Sequence, residues 1–310
     1  MKRVGIVGAG LIGRSWAIVF ARAGWTVSLY DPLAGVAAGA LPLIGSGLTA
    51  LSRRGLVDDP KAASARVHAA DRLEQTLADP DFVQENGPED VNAKIEIFSK
   101  LDALAPRETI LASSTSAIVA SRFTEKLVGR DRCLVAHPVN PPHLVPVVEL
   151  CGAPWTNPDV IARARSIYES IGQVPVTVRR EVEGFILNRL QGALLAEAFR
   201  LVGEGYVSPQ DLDHTIKNGL GLRWSFMGPF ETIELNAPGG IPDYCARYTG
   251  FYKRLQTSPA TPDAYSDTSV SEIVKQWGHT ATPERISTRM QWRDGQLAAL
   301  AAHKKTQPQS

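Results

Sequence analysis

The sequence predicts an α/β fold in which a doubly wound, mostly parallel sheet is followed by a second, all-helical domain. Short β-branched runs alternate with helical patterns up to about residue 180, which is typical of a parallel sheet wrapped by helices. A glycine-rich turn follows the first of these runs. Beyond Gly184 the strand signals fade, and apolar residues recur at helical spacing. We therefore predict a first domain over residues 1–182 and a helical domain over residues 183–310.

Seven short apolar runs in the first domain are predicted to form strands. They span residues 4–7, 27–30, 82–84, 110–112, 134–136, 147–150 and 174–178. Between the third and fourth runs, one apolar helix face is marked by Val91, Ile95, Phe98 and Leu101.

The second domain has the pattern of helices packed on helices. A long first helix is indicated by Phe185, Leu187, Leu190, Leu194, Leu195 and Phe199. Another helix is predicted to begin at Ser208, which forms a capping pattern with Asp211, and to end at Gly219 and Gly221.

Composition excludes several classes of partner. A net charge of +1 and a hydrophobic content of 44% create no global field that would attract nucleic acid or an anionic membrane. Cys133, Cys151 and Cys245 have no metal-ligand spacing, so we expect free thiols, a reducing cytoplasm and no metal site. The first strand leaves no room for a signal peptide, and no apolar run approaches the ~20 residues of a membrane span. We expect a soluble, cytoplasmic protein.

The turn after the first strand has the spacing of a Rossmann-type dinucleotide fingerprint, Gly8-Ala9-Gly10-Leu11-Ile12-Gly13. Gly8 ends the strand, Gly10 lets the backbone approach a pyrophosphate, and Gly13 lets the next helix pack closely on the sheet. The N–H groups at the start of that helix would face the phosphates. The predicted cofactor contacts in this turn are Gly8, Gly10, Leu11, Ile12 and Gly13.

Asp31 closes the second apolar run, about 20 residues after the turn, where an acid commonly binds the ribose of a dinucleotide. Its carboxylate can accept hydrogen bonds from a ribose diol and would repel a 2′-phosphate. The predicted cofactor is therefore NAD rather than NADP.

Three polar residues are predicted at the carboxyl edge of the sheet, where open α/β sheets bind their ligands. Ser116 and His137 each follow a strand, and Glu149 ends a nearby strand over residues 145–148. An imidazole with an ordinary pKa of roughly 6.5 can take a hydroxyl proton as hydride leaves an alcohol, and Glu149 could stabilise the imidazolium. Singly, each residue also has a structural explanation, as a core histidine, a helix cap or a solvated strand end. Together they indicate hydride transfer to a dinucleotide.

Further segments make the chain similar to one family. They are Ser113-Ser114-Thr115-Ser116, His137-Pro138-Val139-Asn140-Pro141, Glu149, Gly184-Phe185-Ile186-Leu187-Asn188-Arg189 and Met227-Gly228-Pro229-Phe230-Glu231. With the glycine turn, these segments resemble the 3-hydroxyacyl-CoA dehydrogenase superfamily over nearly the whole chain.

The resemblance implies roles for individual residues. His137 would be the base, Glu149 its orienting partner, and Ser116 and Asn188 the groups that hold the substrate oxygen. Without the resemblance, Asn188 would be interpreted as a polar residue on an apolar helix that forms a hydrogen bond to another helix. The implied cofactor contacts are Asp31, Glu89, Lys94, Ser116 and Asn140.

Two departures from the acyl-CoA pattern point to one branch of the superfamily. Ser114 stands where acyl-CoA members usually have Asn, and Pro138-Val139 stands where they have Phe-Phe. Both changes resemble the lambda-crystallin branch, whose enzymes are L-gulonate 3-dehydrogenases. The branch implies oxidation of the C3 hydroxyl of a small 3-hydroxy acid to the 3-keto acid, with L-gulonate as the named candidate.

Charge supports a small substrate. Residues 32–52 contain no Lys or Arg, whereas acyl-CoA members resemble one another in carrying several lysines there, near the CoA phosphates. Arg223 is our hypothesis for a bidentate partner of the substrate carboxylate. A surface or interdomain arginine is the competing interpretation.

Other functions remain open at this point. A short-chain 3-hydroxyacyl-CoA dehydrogenase and a carnitine 3-dehydrogenase would use the same chemistry. A quaternary ammonium could bind the aromatic residues Trp224, Phe226, Tyr244 and Tyr248. A non-catalytic, NAD(H)-binding crystallin-like protein is the alternative of another class.

The helical domain has more apolar surface than one flank of the first domain can cover. We therefore expect a homodimer formed through the C-terminal helices, as the family resemblance also implies. A small-molecule substrate is the other expected partner.

Overall fold

The computed structural model describes residues 2–307, and within them eight strands form one sheet. The strands are β1 Arg3–Val7, β2 Thr26–Tyr30, β3 Val67–Ala70, β4 Phe82–Glu85, β5 Ile110–Ser113, β6 Cys133–Pro138, β7 Val147–Gly152 and β8 Val174–Val178. Their order is β3-β2-β1-β4-β5-β6-β7-β8. Neighbouring strands are parallel except β6 and β7, which are antiparallel. The predicted doubly wound, mostly parallel sheet is confirmed.

The strand order reverses between β1 and β4, because the chain builds β2 and β3 on one side of β1 and then crosses to the other. In open α/β sheets, a ligand crevice lies outside the carboxyl ends of the strands at such a reversal. The end of β1 at this crevice leads directly into the glycine turn.

The seven predicted strands are all present, and β3 is the strand that the sequence did not reveal. Only the first of its four residues is buried, since β3 is an edge strand. With one buried position, it has no alternation of apolar and polar residues to detect.

In the described part of the chain, seven α-helices precede β8 and one more packs with the sheet near the C-terminus. They are α1 Leu11–Arg22, α2 Val36–Ser52, α3 Pro60–Ser64, α4 Leu73–Thr76, α5 Val91–Leu104, α6 Ser121–Thr124, α7 Pro158–Ser170 and, after the helical segment described below, α14 Pro283–Lys305. Strand residues alternate between two apolar cores: Ile6 and Phe82 lie in one, and Val7 and Val83 in the other. Helices on both faces cover these cores, as expected for a parallel sheet.

The segment between β8 and α14 is helical. Its elements are α8 Leu187–Gly203, α9 Pro209–Thr215, a π-helical turn Ile216–Leu220, α10 Gly221–Trp224, α11 Pro229–Glu234, α12 Gly240–Leu255 and α13 Asp267–Trp277. The Ser208 side chain caps α9 by accepting the Asp211 N–H at 3.1 Å, as predicted. The predicted end at Gly219 and Gly221 is wrong. The chain stays helical through both, since a glycine costs a helix only about 1 kcal/mol.

The chain divides into two compact units, and the division differs from the predicted boundary. The first unit contains the chain up to Asn188 and again from Glu284, and the second contains residues 189–283. Helix α14 therefore belongs with the sheet: Ala298 lies in its core, and Lys305 Nζ donates to the Gly55 carbonyl at 3.2 Å. The contacts of α14 with the first unit join residues that are far apart in sequence, and local sequence patterns do not reveal such contacts. Among the described residues, no helix has the length and apolar content needed to cross a membrane.

Candidate active site

The glycine turn between β1 and α1 has the geometry of a pyrophosphate site. Gly8 has a φ of +93°, and a Cβ on Gly13 would lie 1.8 Å from the Gly8 carbonyl oxygen. At Gly10, by contrast, no described residue apart from its neighbours in the chain has an atom within 4 Å of the Cβ position. No side chain among residues 2–307 caps α1. Its first N–H groups, those of Leu11 and Ile12 included, can therefore face an anion without displacing a cap.

Asp31, directly after β2, is bound to this turn. Its Oδ2 accepts the Ala9 N–H at 2.8 Å, and its Oδ1 accepts the Leu33 N–H at 3.0 Å. A carboxylate oxygen can accept more than one hydrogen bond, so both atoms keep capacity for a ribose diol. Asp31 thus positions the turn as well as offering the predicted ribose contact.

His137 and Glu149 form a buried pair on β6 and β7. They are directly opposite in the antiparallel register, with His137 Nδ1 2.8 Å from Glu149 Oε2. The residues are 4% and 2% exposed. Glu149 lies within β7, in agreement with the predicted strand over residues 147–150 and not at the end of a strand over residues 145–148. Its register brings it onto the imidazole.

The other oxygen of Glu149 binds the start of α8. Oε1 accepts the N–H groups of Ile186 at 2.8 Å and Leu187 at 3.0 Å. Burial raises the pKa of Glu149, but the hydrogen bonds from His137, Leu187 and Ile186 outweigh burial and hold that pKa below its ordinary value. The ionised carboxylate accepts from Nδ1–H, which leaves Nε2 as the basic nitrogen. Among the described residues, Nε2 makes no hydrogen bond.

Phe185 is a residue of this site that the sequence analysis missed. It is fully buried, and its ring centroid lies 5.4 Å from that of His137. Its φ of +49° is in the left-handed region, which is strained for a bulky side chain. The turn presents the next two N–H groups to Glu149. No sequence signal predicts a positive φ at a phenylalanine.

Ser116 and Asn188 are joined by a hydrogen bond. Asn188 Nδ2 donates to the Ser116 carbonyl oxygen at 2.8 Å. Since Asn188 follows Leu187 directly, one hydrogen-bonded path runs from His137 through Glu149 and the start of α8 to Ser116. The Ser116 hydroxyl makes no hydrogen bond within residues 2–307.

Glu89 holds the loop that carries Ser116. Its carboxylate accepts the N–H groups of Ser116 and Ala117, each at 3.1 Å, and the Thr115 hydroxyl. Burial raises the pKa of Glu89, but these hydrogen bonds and the charge of Lys94 outweigh it and leave that pKa below its ordinary value.

Lys94 is buried and paired with Glu85. Its Nζ is 2.8 Å from both oxygens of Glu85 and 3.1 Å from the Gly87 carbonyl oxygen, and the residue is 1% exposed. All three N–H groups therefore have acceptors inside the protein. The contact of Lys94 with NAD that the resemblance implies stays a prediction.

Among the described residues, two predicted site residues have no hydrogen bond to this path. Asn140 is exposed on the loop after β6. Arg223 lies on α10 in the second unit, exposed, and its guanidinium makes no salt bridge or hydrogen bond with the residues that the structure describes.

Ser114 lies in a polar network that the sequence did not reveal. Its hydroxyl accepts from Trp16 Nε1 at 3.0 Å and Gln84 Nε2 at 2.7 Å, and donates to Asn86 Oδ1 at 2.7 Å. Tyr168 donates to the other end of the Gln84 amide. The network joins α1, β4, α7 and the loop that follows β5. It satisfies all three hydrogen-bonding positions of the serine hydroxyl.

A dinucleotide turn and a buried His–Glu pair, both placed by one doubly wound sheet, define an NAD-dependent oxidoreductase that acts on a CH–OH group. Two family models match the chain. The NAD binding domain of 3-hydroxyacyl-CoA dehydrogenase matches residues 3–182, and the C-terminal domain of 3-hydroxyacyl-CoA dehydrogenase matches residues 184–273. The chain belongs to the 3-hydroxyacyl-CoA dehydrogenase family.

Individual relatives are similar over nearly the full length. Lambda-crystallin of Oryctolagus cuniculus is 39% identical over 310 residues, covering 98% of this chain and 97% of the relative. L-carnitine dehydrogenase of Pseudomonas putida is 33% identical, covering 97% and 93%. Among solved structures, an NAD+ dependent dismutase, 5-formyl-3-hydroxy-2-methylpyridine 4-carboxylic acid 5-dehydrogenase, superimposes with a TM-score of 0.85 at 27% identity, covering 99% and 100%.

Proposed function

We propose that this enzyme oxidises the C3 hydroxyl of a small 3-hydroxy acid to the 3-keto acid, with L-gulonate and 3-dehydro-L-gulonate as substrate and product. The choice of a small acid rests on the lack of basic residues on the surface of α2 and the segment before it. From residue 32 to the end of α2 there is no Lys or Arg. Val36 and Leu43 on the helix and Leu33 just before it are exposed instead. Phosphates are usually bound by clustered Arg and Lys, so this surface favours a substrate without CoA.

The proposed chemistry divides among four side chains. Ser116 and Asn188 hold the substrate hydroxyl, and His137 Nε2 removes its proton. Glu149 stabilises the resulting imidazolium through the 2.8 Å contact with Nδ1. NAD, when bound, supplies the acceptor for the hydride that leaves C3. The loss of one proton and one hydride converts the alcohol into the ketone.

Arg223 is the proposed partner of the substrate carboxylate. Its guanidinium is exposed and unpaired among the described residues, so a bidentate contact would displace no salt bridge. We expect Arg223→Met to raise KM for gulonate at least tenfold, because a charge-assisted hydrogen bond contributes about 1.5–3 kcal/mol. Steady-state kinetics measures this change. Lys253→Met, which removes another exposed cation of the same unit, is the control; equal KM values for both variants would remove Arg223 from the substrate site.

Carnitine is the second candidate, because a relative is an L-carnitine dehydrogenase and aromatic side chains cluster on α12. The Tyr244 and Tyr248 rings lie 4.6 Å apart, and the Tyr244 hydroxyl is 2.6 Å from that of Tyr252. The hydrogen bond to Tyr252 is the main cause that raises the pKa of Tyr244, and the nearby positive charge of Arg223 opposes that rise. A cation beside these rings disfavours a quaternary ammonium and favours a carboxylate.

One substrate panel tests the proposed function. NADH formation is followed with gulonate, 3-hydroxybutyrate, carnitine and 3-hydroxybutyryl-CoA at equal concentrations. We expect the highest kcat/KM with gulonate. A higher value with the CoA thioester or with carnitine would overturn the choice of substrate, and NADH binding without turnover of any 3-hydroxy acid would favour a crystallin-like binding protein.

The compartment that we propose is the reducing cytoplasm. Cys133, Cys151 and Cys245 are all free thiols. Burial is the main cause that raises the pKa of Cys133 and of Cys151 to about 12, so neither buried thiol is reactive at neutral pH.

A homodimer is the assembly that we propose, formed through the helical unit. Helix α12 exposes Tyr248, Phe251, Tyr252 and Leu255, which lie close to one helix face at spacings of three, four and seven residues. Other large apolar residues of this unit are also exposed, among them Leu190, Phe226, Phe230 and Leu235. Apolar surface of this extent is typical of a protein interface, and a second copy of the chain buries it by symmetry.

Light scattering of the purified protein is expected to give twice the 33.5 kDa mass of one chain. Phe251→Glu should shift the measured mass to that of a monomer, because a dimer of this variant would bury an unpaired charge in the interface. Val128→Glu is the control, since Val128 is 93% exposed in the sheet-containing unit. A monomeric wild type at tens of micromolar protein would refute the dimer.

A further inference from the structure

We infer that Ser114 is a positioning residue of the hydride-transfer step, and that its hydrogen-bond network sets the separation between the glycine turn and the loop that carries Ser116. The turn is the predicted site of the NAD pyrophosphate. This role rests on the proposed function in one respect, namely that Ser116 holds the substrate hydroxyl. It does not depend on which hydroxy acid is the substrate.

The Ser114 hydroxyl has no capacity left for a ligand. It accepts hydrogen bonds from Trp16 Nε1 and Gln84 Nε2 and donates one to Asn86 Oδ1. Its two acceptor positions and its donor are therefore all used within the protein. A substrate or nicotinamide that bound this hydroxyl would have to displace one of these partners, so Ser114 acts on the reaction through them rather than by contact.

Two of these partners lead to the glycine turn. Trp16 is fully buried on α1, the helix that begins at the turn. The side-chain amide and the backbone N–H of Asn86 both donate to the carbonyl oxygen of Val7, at 3.2 and 2.7 Å. Val7 is the last residue of β1, and a Cβ on Gly8 would lie 2.8 Å from the Asn86 carbonyl oxygen. The Ser114 hydroxyl is thus tied to the elements on both sides of the turn.

The main chain leads from Ser114 to Ser116. Ser114 directly follows β5, and its N–H donates to the Glu85 carbonyl oxygen at 2.8 Å. Glu89 then binds the Thr115 hydroxyl and the Ser116 N–H. Because only one residue separates the two serines, a shift of Ser114 moves the Ser116 hydroxyl relative to the turn.

The other end of the network is closed off from ligands. Gln84 and Tyr168 are both 0% exposed, and the Tyr168 hydroxyl donates to the Gln84 amide oxygen from α7. Gln84 Nε2 also lies 3.5 Å from the carbonyl oxygen of Ala136, the residue before His137. A buried polar group that loses its partner is costly, so the network favours the one arrangement that satisfies all its members.

A geometric role of this kind predicts a particular kinetic effect. Without the Ser114 hydroxyl, the turn and the Ser116 loop each keep their own groups for binding a ligand, but their separation is no longer fixed. A displacement of about 1 Å can lower a reaction rate about 10²-fold. The loss should therefore appear in the hydride-transfer step, while the affinities for cofactor and substrate change little.

Ser114→Ala tests the role, with the substrate that gives the highest kcat/KM in the panel described above. We expect the rate constant of the first turnover, measured from pre-steady-state NADH formation at saturating NAD and substrate, to fall about tenfold or more. The Kd for NADH and the KM for substrate should stay within about threefold of wild type. Ser166→Ala is the matched control, because the exposed Ser166 hydroxyl donates only to the Ala162 carbonyl of its own helix, α7; its rate constant should equal that of wild type.

Other results for Ser114→Ala would overturn the inference. A higher KM or Kd at an unchanged rate constant would show that the Ser114 hydroxyl contacts a ligand. An unchanged rate constant with a lower unfolding temperature would show that the network serves stability alone. A first-order rate constant does not depend on the fraction of enzyme that is folded, so loss of folded protein cannot imitate the expected result.

Tyr168→Phe keeps the inference falsifiable even if Ser114→Ala does not fold. Tyr168 is fully buried on α7, so it contacts neither NAD nor substrate. Its loss leaves the Gln84 amide oxygen without this partner, and we expect the rate constant to fall about threefold or more at an unchanged Kd for NADH. A wild-type rate constant would overturn the inference. Where both single variants fold, the double variant should be no slower than Ser114→Ala, because the two changes act on one network.

Failure of the proposed function would give a different pattern. If gulonate is not the best substrate of the panel, the same variants are compared with the substrate that is. Ser116→Ala tests the proposed role of Ser116 separately: near-normal kcat and KM in that variant would refute the role of Ser116. A wild-type rate constant in Ser114→Ala, with Ser116→Ala impaired, would refute the positioning role of Ser114 alone.

Discussion

His137→Gln is expected to lower kcat for oxidation by about 10²–10⁴-fold, because general base catalysis contributes roughly that factor. Glutamine has no basic nitrogen to replace Nε2, although its amide can still contact Glu149 from β6. The Kd for NADH should stay within about twofold of wild type, since the glycine turn and Asp31 make no hydrogen bond to His137. Pre-steady-state formation of NADH measures the hydride step directly.

His68→Gln is the matched control for this change, because His68 is exposed on the edge strand β3. Its kcat should equal that of wild type. Near-normal turnover of the His137→Gln enzyme would show that another group removes the proton, and parallel losses of kcat and NADH affinity would indicate a structural defect instead.

Glu149→Gln should have an effect of similar size, about 10²–10³-fold on kcat, for two reasons. A carboxamide can turn its NH₂ group toward Nδ1, which favours the tautomer that carries the proton on Nε2 and so removes the base. It also removes the negative charge that stabilises the imidazolium at 2.8 Å.

The difference in the free energy of unfolding between wild type and Glu149→Gln should depend on pH. Hydrogen bonds in the folded protein hold the pKa of Glu149 below its ordinary value, so the carboxylate stabilises the fold above the ordinary carboxyl pKa. That stabilisation is lost as pH falls through the folded value. Unfolding by denaturant should therefore show Glu149→Gln less stable by about 1–3 kcal/mol at pH 7, with the difference shrinking at acid pH.

Glu96→Gln, an exposed site on α5, serves as the control for both readouts. It should keep wild-type turnover and stability across the pH range. A stability difference for Glu149→Gln that is the same at pH 7 and at acid pH would contradict the role of the ionised carboxylate.

Several parts of this site could be predicted because their signals are local. Gly8 and Gly13 lie in one short turn, and Asp31 closes the next strand, so spacing alone indicated their roles. His137 and Glu149 could be proposed as partners because the sequence predicted both of them at the carboxyl edge of the sheet. Asn188 required family resemblance, since a polar residue on an apolar helix has no signal of its own.

Other parts had no such signal. Lys94 has the sequence context of an ordinary helical lysine, and only the fold shows its ammonium on Glu85. The strained turn at Phe185 and its packing on His137 depend on where α8 begins relative to β7. Neither contact can be derived from spacing, because the partners lie on different elements of the chain.

The sequence by itself determined the mostly parallel sheet, seven of its strands and the glycine turn, because periodicity and turn chemistry act over a few neighbouring residues. The tertiary structure alone decided that His137 faces Glu149, since a slip of one residue between β6 and β7 would turn the carboxylate to the other face of the sheet. It also decided that Lys94 is buried and that α14 returns to the first unit. These features depend on contacts between distant residues, which form only when the whole sheet and its helices pack together.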